Sequence, residues 1–249
     1  MRHRLSGPNG LQLAVVTGLV AVPLLGLKPA AASGGMVSGV VRFEAEYPKA
    51  ERVRVTTDNA VCGTHKNKEA FLVSPGNKGL KNVLVTIEGV KEGRRATPTA
   101  AVTVEQDGCS YVPHFQVAQL GAEGLSLKVG NKDATLHNIH AYNEKGDTLF
   151  NIAQPGGAAR SITKTLSEPG VVTVRCDVHS WMSAYIVILK DQPYYAVTDD
   201  TGHFSIAEVP PGSYTLRAWH EALGEMKKPV VVGSDGTLNA DFVIKPRGK

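Results

Sequence analysis

The sequence predicts an all-β protein built from β-sandwiches. Short runs of β-branched or alternating apolar residues recur along the chain, as in "NVLVTIEGV", "VVTVR" and "YIVIL". Turn clusters such as "EPG", "DDTGH" and "PPGS" separate these runs, and long amphipathic helices are hard to find. Many short strands with regular turns between them are typical of sandwiches and barrels. Only "WHEALGEMKK" has mild helical periodicity, and a strand end followed by a loop explains it equally well.

The first 32 residues have the three-part pattern of a secretory signal peptide. A basic start without acidic residues precedes an apolar stretch at 11–27, and Ala30 and Ala32 form an A-x-A cleavage site. The apolar stretch is marginal in length for a membrane span and contains Pro23, which favours cleavage over a retained anchor. We therefore expect a periplasmic or secreted protein with no stable membrane span after cleavage.

The charge balance argues against nucleic acid as a partner. The full sequence has 27 basic and 23 acidic residues. Three of the basic residues, Arg2, Arg4 and Lys28, lie in the predicted signal peptide, which contains no acidic residue. The chain that remains is close to neutral, whereas nucleic-acid binding depends on concentrated positive charge.

The three cysteines indicate one disulfide and one free thiol in an exported chain. Cys62 in "NAVCGTH" and Cys109 in "QDGCSYV" both lie in glycine-containing turns, which suits a bridge between them. Cys176 lies instead between two strand-like runs, with His179 and Met182 close behind it. A free thiol in an oxidising compartment needs a reason to persist, and metal ligation would supply one.

The motif "CDVHSWM" at 176–182 is ambiguous by itself. On a helix, the three-residue spacing would place Cys, His and Met on one face, where Cys and Met are ordinary core residues. Here "VVTVR" precedes the motif and "YIVIL" follows it, so a loop between two strands is predicted. Such a loop can gather its side chains around one point, as metal ligation requires.

The missing donor is expected from an earlier strand, at His137 in "LHNIHAY". Imidazoles from His137 and His179, the Cys176 thiolate and a weak axial Met182 thioether make the ligand set of a type 1 blue-copper electron-transfer centre. Zinc also binds Cys and His, but it does not favour a thioether, and no fourth hard ligand is evident. The sequence therefore predicts a site for one type 1 copper ion.

Residues from about 104 to 190 resemble a cupredoxin domain, with the ligand-loop length typical of amicyanin. "LHNIHAY" resembles the family's Pro-His-Asn-Val strand, "EPGVVTVRC" its approach to the ligand Cys, and "CDVHSWMSAYIVIL" its Cys-x-x-His-x-x-Met entry to the next strand. The resemblance implies a Greek-key β-sandwich that holds one copper ion.

The same resemblance implies roles for residues around the ligands. Asn138 would tie the two ligand-bearing segments together by hydrogen bonds. His179 would present its ring edge near the surface as the electron port, with Trp181 in the surrounding apolar patch. The chain departs from the family pattern at Leu136, where Pro is usual, and at Ser183–Ala184, where Gly normally follows one residue after the Met.

A second resemblance concerns the two ends of the chain. Residues 196–220 resemble the second half of the prealbumin-like sandwich of carboxypeptidase regulatory-type domains, and 37–45 and 79–90 match its first half. This implies a discontinuous sandwich formed by 34–95 and 192–249, with a cupredoxin domain inserted at 96–191. Two consecutive domains are the alternative, but neither end piece has enough strands to bury a core alone.

The other histidines have weaker claims to a role. We expect His140 to be structural or solvent-facing, because a regular strand turns it away from the side of His137. A second metal site formed by His114 and His65 has no support in the sequence. For His220 and Glu221, a hydrogen bond at the sandwich edge is preferred to acid/base catalysis.

These observations predict an exported electron-transfer protein that works with a redox protein partner. No phosphate-binding glycine loop, catalytic triad spacing or paired carboxylates stand out, so no enzymatic activity is expected. Two alternatives stay open. The first is copper binding or delivery by the same ligands, and the second is a surface module that binds carbohydrate or protein and has an accessory copper site.

Overall fold

The computed structural model describes Met1 and residues 34–45, 52–157 and 161–245. Nearly all of the regular structure is β, which confirms the predicted all-β class. The predicted signal peptide lies outside the described residues, except for Met1. Within the described ranges, no helix is long and apolar enough to span a bilayer.

The described residues form nineteen strands and one short helix. The first elements are β1 (Gly35–Phe43), β2 (Arg52–Arg54), α1 (Asn59–Cys62), β3 (His65–Asn67), β4 (Leu84–Glu88) and β5 (Ala101–Gln106). They are followed by β6 (Tyr111–Val112), β7 (Phe115–Gln119), β8 (Leu125–Asn131), β9 (His137–Tyr142), β10 (Thr148–Gln154) and β11 (Ile162–Leu166). The last are β12 (Gly170–Arg175), β13 (Ser183–Leu189), β14 (Tyr195–Val197), β15 (His203–Val209), β16 (Gly212–His220), β17 (Gly224–Val232), β18 (Thr237–Asn239) and β19 (Phe242–Ile244).

Strands β5 to β13 form what we call the central sandwich. One sheet has the order β10-β9-β12-β13-β7 and the other β11-β8-β5-β6. Alternation along each strand builds the core, because successive side chains point to opposite faces. On β8, for example, Leu125, Leu127 and Val129 are fully buried, while the residues between them are partly or fully exposed.

Strands from both ends of the described chain form the terminal sandwich. In one sheet β1 pairs with β15, β18 and β19, and in the other the order is β14-β4-β16-β17. The chain thus leaves this sandwich after β4 and returns to it at β14, which pairs with β4. The boundaries predicted at 95/96 and 191/192 fall in the connections before β5 and after β13.

The segment 52–67, which comprises β2, α1 and β3, departs from the predicted domain layout. The prediction assigns it to the terminal sandwich as part of 34–95. The structure instead places Val55 and Cys62 in the buried core of the central sandwich. The physical reason is that Cys62 bonds covalently to Cys109, next to β6 of the central sandwich, and so brings the apolar side chains of its own segment with it.

The two sandwiches meet at a small apolar cluster and a buried polar pair. Leu84 of the terminal sandwich packs with Phe115 and Val187 of the central one. Beside them, His114 Nε2 lies 2.6 Å from Glu221 Oε1, and the Nδ1–H of His114 donates to the Ser183 carbonyl at 2.9 Å. Glu221 therefore takes its partner from the other sandwich, across the junction, whereas the sequence predicts a bond at the sandwich edge.

Gly79 provides a sharp test of the terminal sandwich, because it touches the backbone of a neighbouring turn. A Cβ at this position would overlap with the backbone carbonyl of Thr201, which is not a flexible group. We expect Gly79→Ala to lower the free energy of unfolding by about 1–3 kcal/mol. Urea denaturation checks this. Gly76→Ala is the matched control, since nothing lies within 4 Å of the point that its new methyl group would occupy. If the two variants unfold with the same free energy, the close packing at Gly79 is contradicted.

Candidate metal centre

Three strand ends bring the predicted ligands to one edge of the central sandwich. His137 is the first residue of β9, Cys176 follows the last residue of β12, and Met182 precedes the first residue of β13. Strand β12 pairs with both β9 and β13. The loop between β12 and β13 is closed by hydrogen bonds from the Met182 N–H to the His179 carbonyl and from the Cys176 N–H to the Met182 carbonyl.

Three potential donor atoms converge inside this edge. His137 Nδ1 lies 2.9 Å from His179 Nδ1, and Cys176 Sγ lies 3.6 Å from His179 Nδ1. Both imidazoles are completely buried, and the Cys176 thiol is buried and not disulfide-bonded. Met182 is buried in the same core, at the end of the loop. The structure thus gathers the first three predicted ligands into one cluster.

Each histidine has its outer nitrogen held by a carboxylate. His137 Nε2 lies 2.8 Å from Asp133 Oδ2, and His179 Nε2 lies 3.0 Å from Asp58 Oδ2. A carboxylate at Nε2 favours the tautomer with the proton on that nitrogen, which leaves a lone pair on Nδ1. Both Nδ1 lone pairs are then directed at the centre of the cluster.

The protonation of the His137 pair supports this assignment. Burial lowers the pKa of His137 and outweighs the opposing influence of Asp133. Burial alone would raise the pKa of Asp133, but hydrogen bonds from the Cys109 and Gly108 N–H groups and from His137 bring it below its ordinary value. At neutral pH the pair is therefore a neutral imidazole that donates to a carboxylate.

This donor set fits a soft or borderline metal ion. Two nitrogen lone pairs that face each other at 2.9 Å repel unless a proton or a cation lies between them. A metal ion typically binds nitrogen at about 2.0 Å and sulfur at about 2.3 Å. Cys176 Sγ and His179 Nδ1, 3.6 Å apart, are therefore close enough that both would hold the same ion. A second grouping, of Cys109, Asp133 and His137, offers no thiolate, because Cys109 is in the disulfide.

Asn138 links the two segments that carry the cluster. Its side-chain oxygen accepts the Asp177 N–H at 2.7 Å, and its amide donates to Asp177 Oδ2 at 2.8 Å. Asp177 follows Cys176, so these bonds hold the start of the loop against β9, as the resemblance implied. His140 lies on the outer side of β9, with Nδ1 at 3.1 Å from Asp177, and does not face the cluster.

The surroundings of His179 differ from the expectation that its ring edge lies near the surface. The ring has no solvent exposure, because Asp58 and the Cys62 sulfur, 3.9 Å from Nε2, cover its outer edge. Trp181 is also buried, and its indole N–H donates to the Cys109 carbonyl at 3.0 Å. Leu136 and Val178, directly before His137 and His179, are exposed apolar side chains, and so is Val61, directly before Cys62.

Sequence reasoning missed both carboxylates. Asp133 lies four residues before His137, in the "NKD" turn, and this local spacing could have drawn attention to it. Asp58 lies 121 residues before His179, so no local pattern connects the two. The one indication in the sequence is that Asp58 lies four residues before Cys62. The predicted disulfide brings Cys62, and Asp58 with it, to the turn that contains Cys109.

The disulfide and the free thiol occur as the cysteine pattern predicted. Cys62 and Cys109 are bonded, with their Cα atoms 5.4 Å apart. Cys109 donates its backbone N–H to Asp133, and Cys62 lies against His179. The bridge therefore contacts the supporting structure of both histidines.

Solved cupredoxins are among the structures similar to part of this chain. A purple cupredoxin from Nitrosopumilus maritimus is 21% identical over 36% of this chain and 100% of its own, with a TM-score of 0.30. Amicyanin from Paracoccus versutus is 16% identical over 42% of this chain and 97% of its own, with a TM-score of 0.30. A copper-containing nitrite reductase from Thermus scotoductus is 21% identical over 40% of this chain but only 25% of its own, also at 0.30.

Comparison with family models gives a match of a different kind. Residues 158–240 match a model described as polysaccharide lyase family 4, domain II. This range takes in strands of both sandwiches, from β11 to β18. No curated protein sequence matches the chain. The prealbumin-like resemblance of the terminal sandwich stays a prediction.

The thiol chemistry of the chain tests the cysteine assignment directly. We expect alkylation under denaturing, non-reducing conditions to modify only Cys176, and alkylation after reduction to modify all three cysteines. Intact-mass and peptide mass spectrometry measure this. Three modified cysteines without reduction would refute the bridge, and a modified Cys62 or Cys109 peptide would refute the pairing.

Proposed function

We propose that this chain is an exported mononuclear copper protein that transfers electrons. The observation that supports it best is the convergence of His137 Nδ1, His179 Nδ1 and Cys176 Sγ in a buried cluster. With the thioether of Met182, which is buried at the end of the same loop, two imidazoles and one thiolate form a donor set typical of electron-transfer copper centres. No other described group of His, Cys and acidic residues offers a free thiol beside two histidines.

Each residue has a distinct part in this proposal. Cys176, His137 and His179 would hold the ion, and Met182 would contribute its weak thioether. A bound copper ion would supply a one-electron redox couple. The chain itself keeps water out, since all of these side chains are buried. Because the donor atoms are buried and held in place, they would move little when the ion gains or loses an electron, which favours fast electron exchange.

The proposed role is not enzymatic. The side chains that would hold the ion are all buried, so a substrate has no access to the ion in this arrangement. Electrons would instead pass to a redox protein that docks on the surface around the centre. Leu136 and Val178, which precede His137 and His179 in the chain, are exposed apolar side chains that such a partner would contact. The disulfide fits the predicted oxidising compartment outside the cytoplasm.

Copper binding or delivery is the second candidate, and one observation favours it. His179 is completely buried under Asp58, so its ring edge is not available to a partner in this arrangement. A protein that holds and hands over the ion needs a protected site more than it needs an exposed ligand edge. The two functions use the same ligands and differ in what exchanges with the partner.

Copper titration of the full chain tests the proposed site. We expect one equivalent of Cu(II) to produce an intense thiolate-to-copper band and a small parallel hyperfine splitting, because the thiolate shares charge with the ion. Visible absorption and electron paramagnetic resonance measure these. Cys176→Ser should abolish the band, whereas Ser180→Ala, in the same loop, should keep it. A colourless protein that prefers zinc would overturn the proposal.

Redox cycling then separates the two candidate functions. In an electron-transfer protein the copper stays bound through repeated reduction and oxidation. In a delivery protein, reduced copper passes to an added Cu(I) chelator at a rate comparable with the redox cycle. Metal content after cycling in the presence of the chelator measures the difference.

A further inference from the structure

The segment 52–67 lies outside the sheets of both sandwiches. Among the described strands, β2 and β3 pair only with each other and extend neither sandwich. Val55 and Cys62 pack into the central core, and the Lys66 ammonium donates to the Gly108 carbonyl. The disulfide supplies the covalent attachment. The segment is thus a small two-stranded unit over the edge of the central sandwich, anchored there by the disulfide and by two buried side chains.

The internal bonds of this segment fix the position of Asp58. The Asp58 carbonyl accepts the N–H groups of Val61 and Cys62 at 2.9 and 2.8 Å. The Asn59 side chain donates to the carbonyls of Val55 and Gly63 at 3.0 and 3.2 Å. The carboxylate of Asp58 is therefore held out from a rigid turn, directly over the outer edge of His179.

The contact between Asp58 and His179 is asymmetric in its exposure to solvent. The imidazole is 0% exposed, whereas the Asp58 side chain is 35% exposed. Water can therefore replace His179 as the partner of Asp58, whereas the other group beside His179 Nε2 is the Cys62 disulfide sulfur at 3.9 Å, a weak acceptor. Breaking this bond removes the carboxylate partner of the buried ring, while the carboxylate itself stays solvated.

We propose that the segment 52–67 is a lid on the metal centre and that Asp58 is the positioning residue that latches it. This inference rests on the proposed metal site. In the closed state the carboxylate holds the Nε2 proton of His179, keeps Nδ1 directed at the ion, and excludes water from the ring edge. The ion enters and leaves the site when the latch opens. The disulfide keeps the lid attached when it does.

The first test measures metal release from the full chain. We expect Asp58→Ala to speed the loss of copper to an excess chelator by about 10- to 100-fold, as is usual when an outer partner of a ligating histidine is removed. Asp58→Asn keeps an oxygen that can accept the Nε2 proton, so its release rate should stay close to that of the wild type. Thr57→Ala, the exposed neighbour in the same segment, is the matched control and should change nothing.

The reduction potential distinguishes a latch from a merely structural residue. An anion beside His179 stabilises the oxidised ion more than the reduced one, so both Asp58→Ala and Asp58→Asn should raise the potential. A ten-fold loss of affinity confined to Cu(II) corresponds to a rise of about 59 mV. A residue that acted only through the fold would lower stability and leave the potential of the folded protein unchanged.

Hydrogen exchange of the metal-free chain provides a readout that does not depend on copper. We expect peptides from 52–67 to exchange as one unit, faster than peptides from β9 and β12, and to exchange faster still in Asp58→Ala. Exchange in 52–67 that is as slow as in β12, or that is unaffected by Asp58→Ala, would overturn the lid even if copper binds. If the wild type binds zinc in place of copper but 52–67 opens as described, the proposed function fails and the lid on the metal centre stands.

Discussion

Two imidazole rings meet Nδ1 to Nδ1 inside the core of the central sandwich. Much of the surrounding structure stabilises this contact by supplying hydrogen-bond partners to the rings. Polar groups buried without partners are costly, so each ring needs something to satisfy its outer nitrogen. Asp133 and Asp58 do this for His137 and His179. Asp133 is satisfied in turn by the N–H groups of the Cys109 turn. The need for hydrogen-bond partners therefore extends from the rings, through the carboxylates, to the turn that contains the disulfide.

The terminal sandwich contacts the loop of this centre at the junction between the sandwiches, without contributing a proposed ligand. Glu221 follows the end of β16 and bonds to His114, which donates to the carbonyl of Ser183 directly after Met182. Burial raises the pKa of Glu221, and its second oxygen has no partner among the described residues. Burial alone would lower the pKa of His114, but its bond to Glu221 reverses that influence. Such a buried pair is costly unless both partners stay in place, so it favours one fixed arrangement of the two sandwiches.

Local patterns in the sequence are sufficient for the strands and for three of the clustered residues. Alternation predicts β12 and β13, and the loop between them then has to bring Cys176 and His179 together. His137 is found because an imidazole beside Asn138 matches a known strand motif. Asp58 could not be found in this way, since its contact with His179 depends on where the disulfide carries a segment 121 residues away. The sequence also fails to predict that 52–67 packs against the central core, because this packing depends on the same disulfide.

If the proposed copper ion is bound, the two sets of groups around the cluster would act on it in opposite directions. The thiolate and thioether are soft donors that stabilise Cu(I), while the carboxylates behind both histidines place negative charge where it stabilises Cu(II). Asp133 is fixed by the fold, because its bonds come from the backbone of the Cys109 turn. Asp58 belongs to the proposed lid, so its contribution to the electric field at the ion would change when the lid opens. A single mobile carboxylate can therefore couple access to the site with the preferred oxidation state of the ion, which is a property that either electron transfer or copper delivery can use.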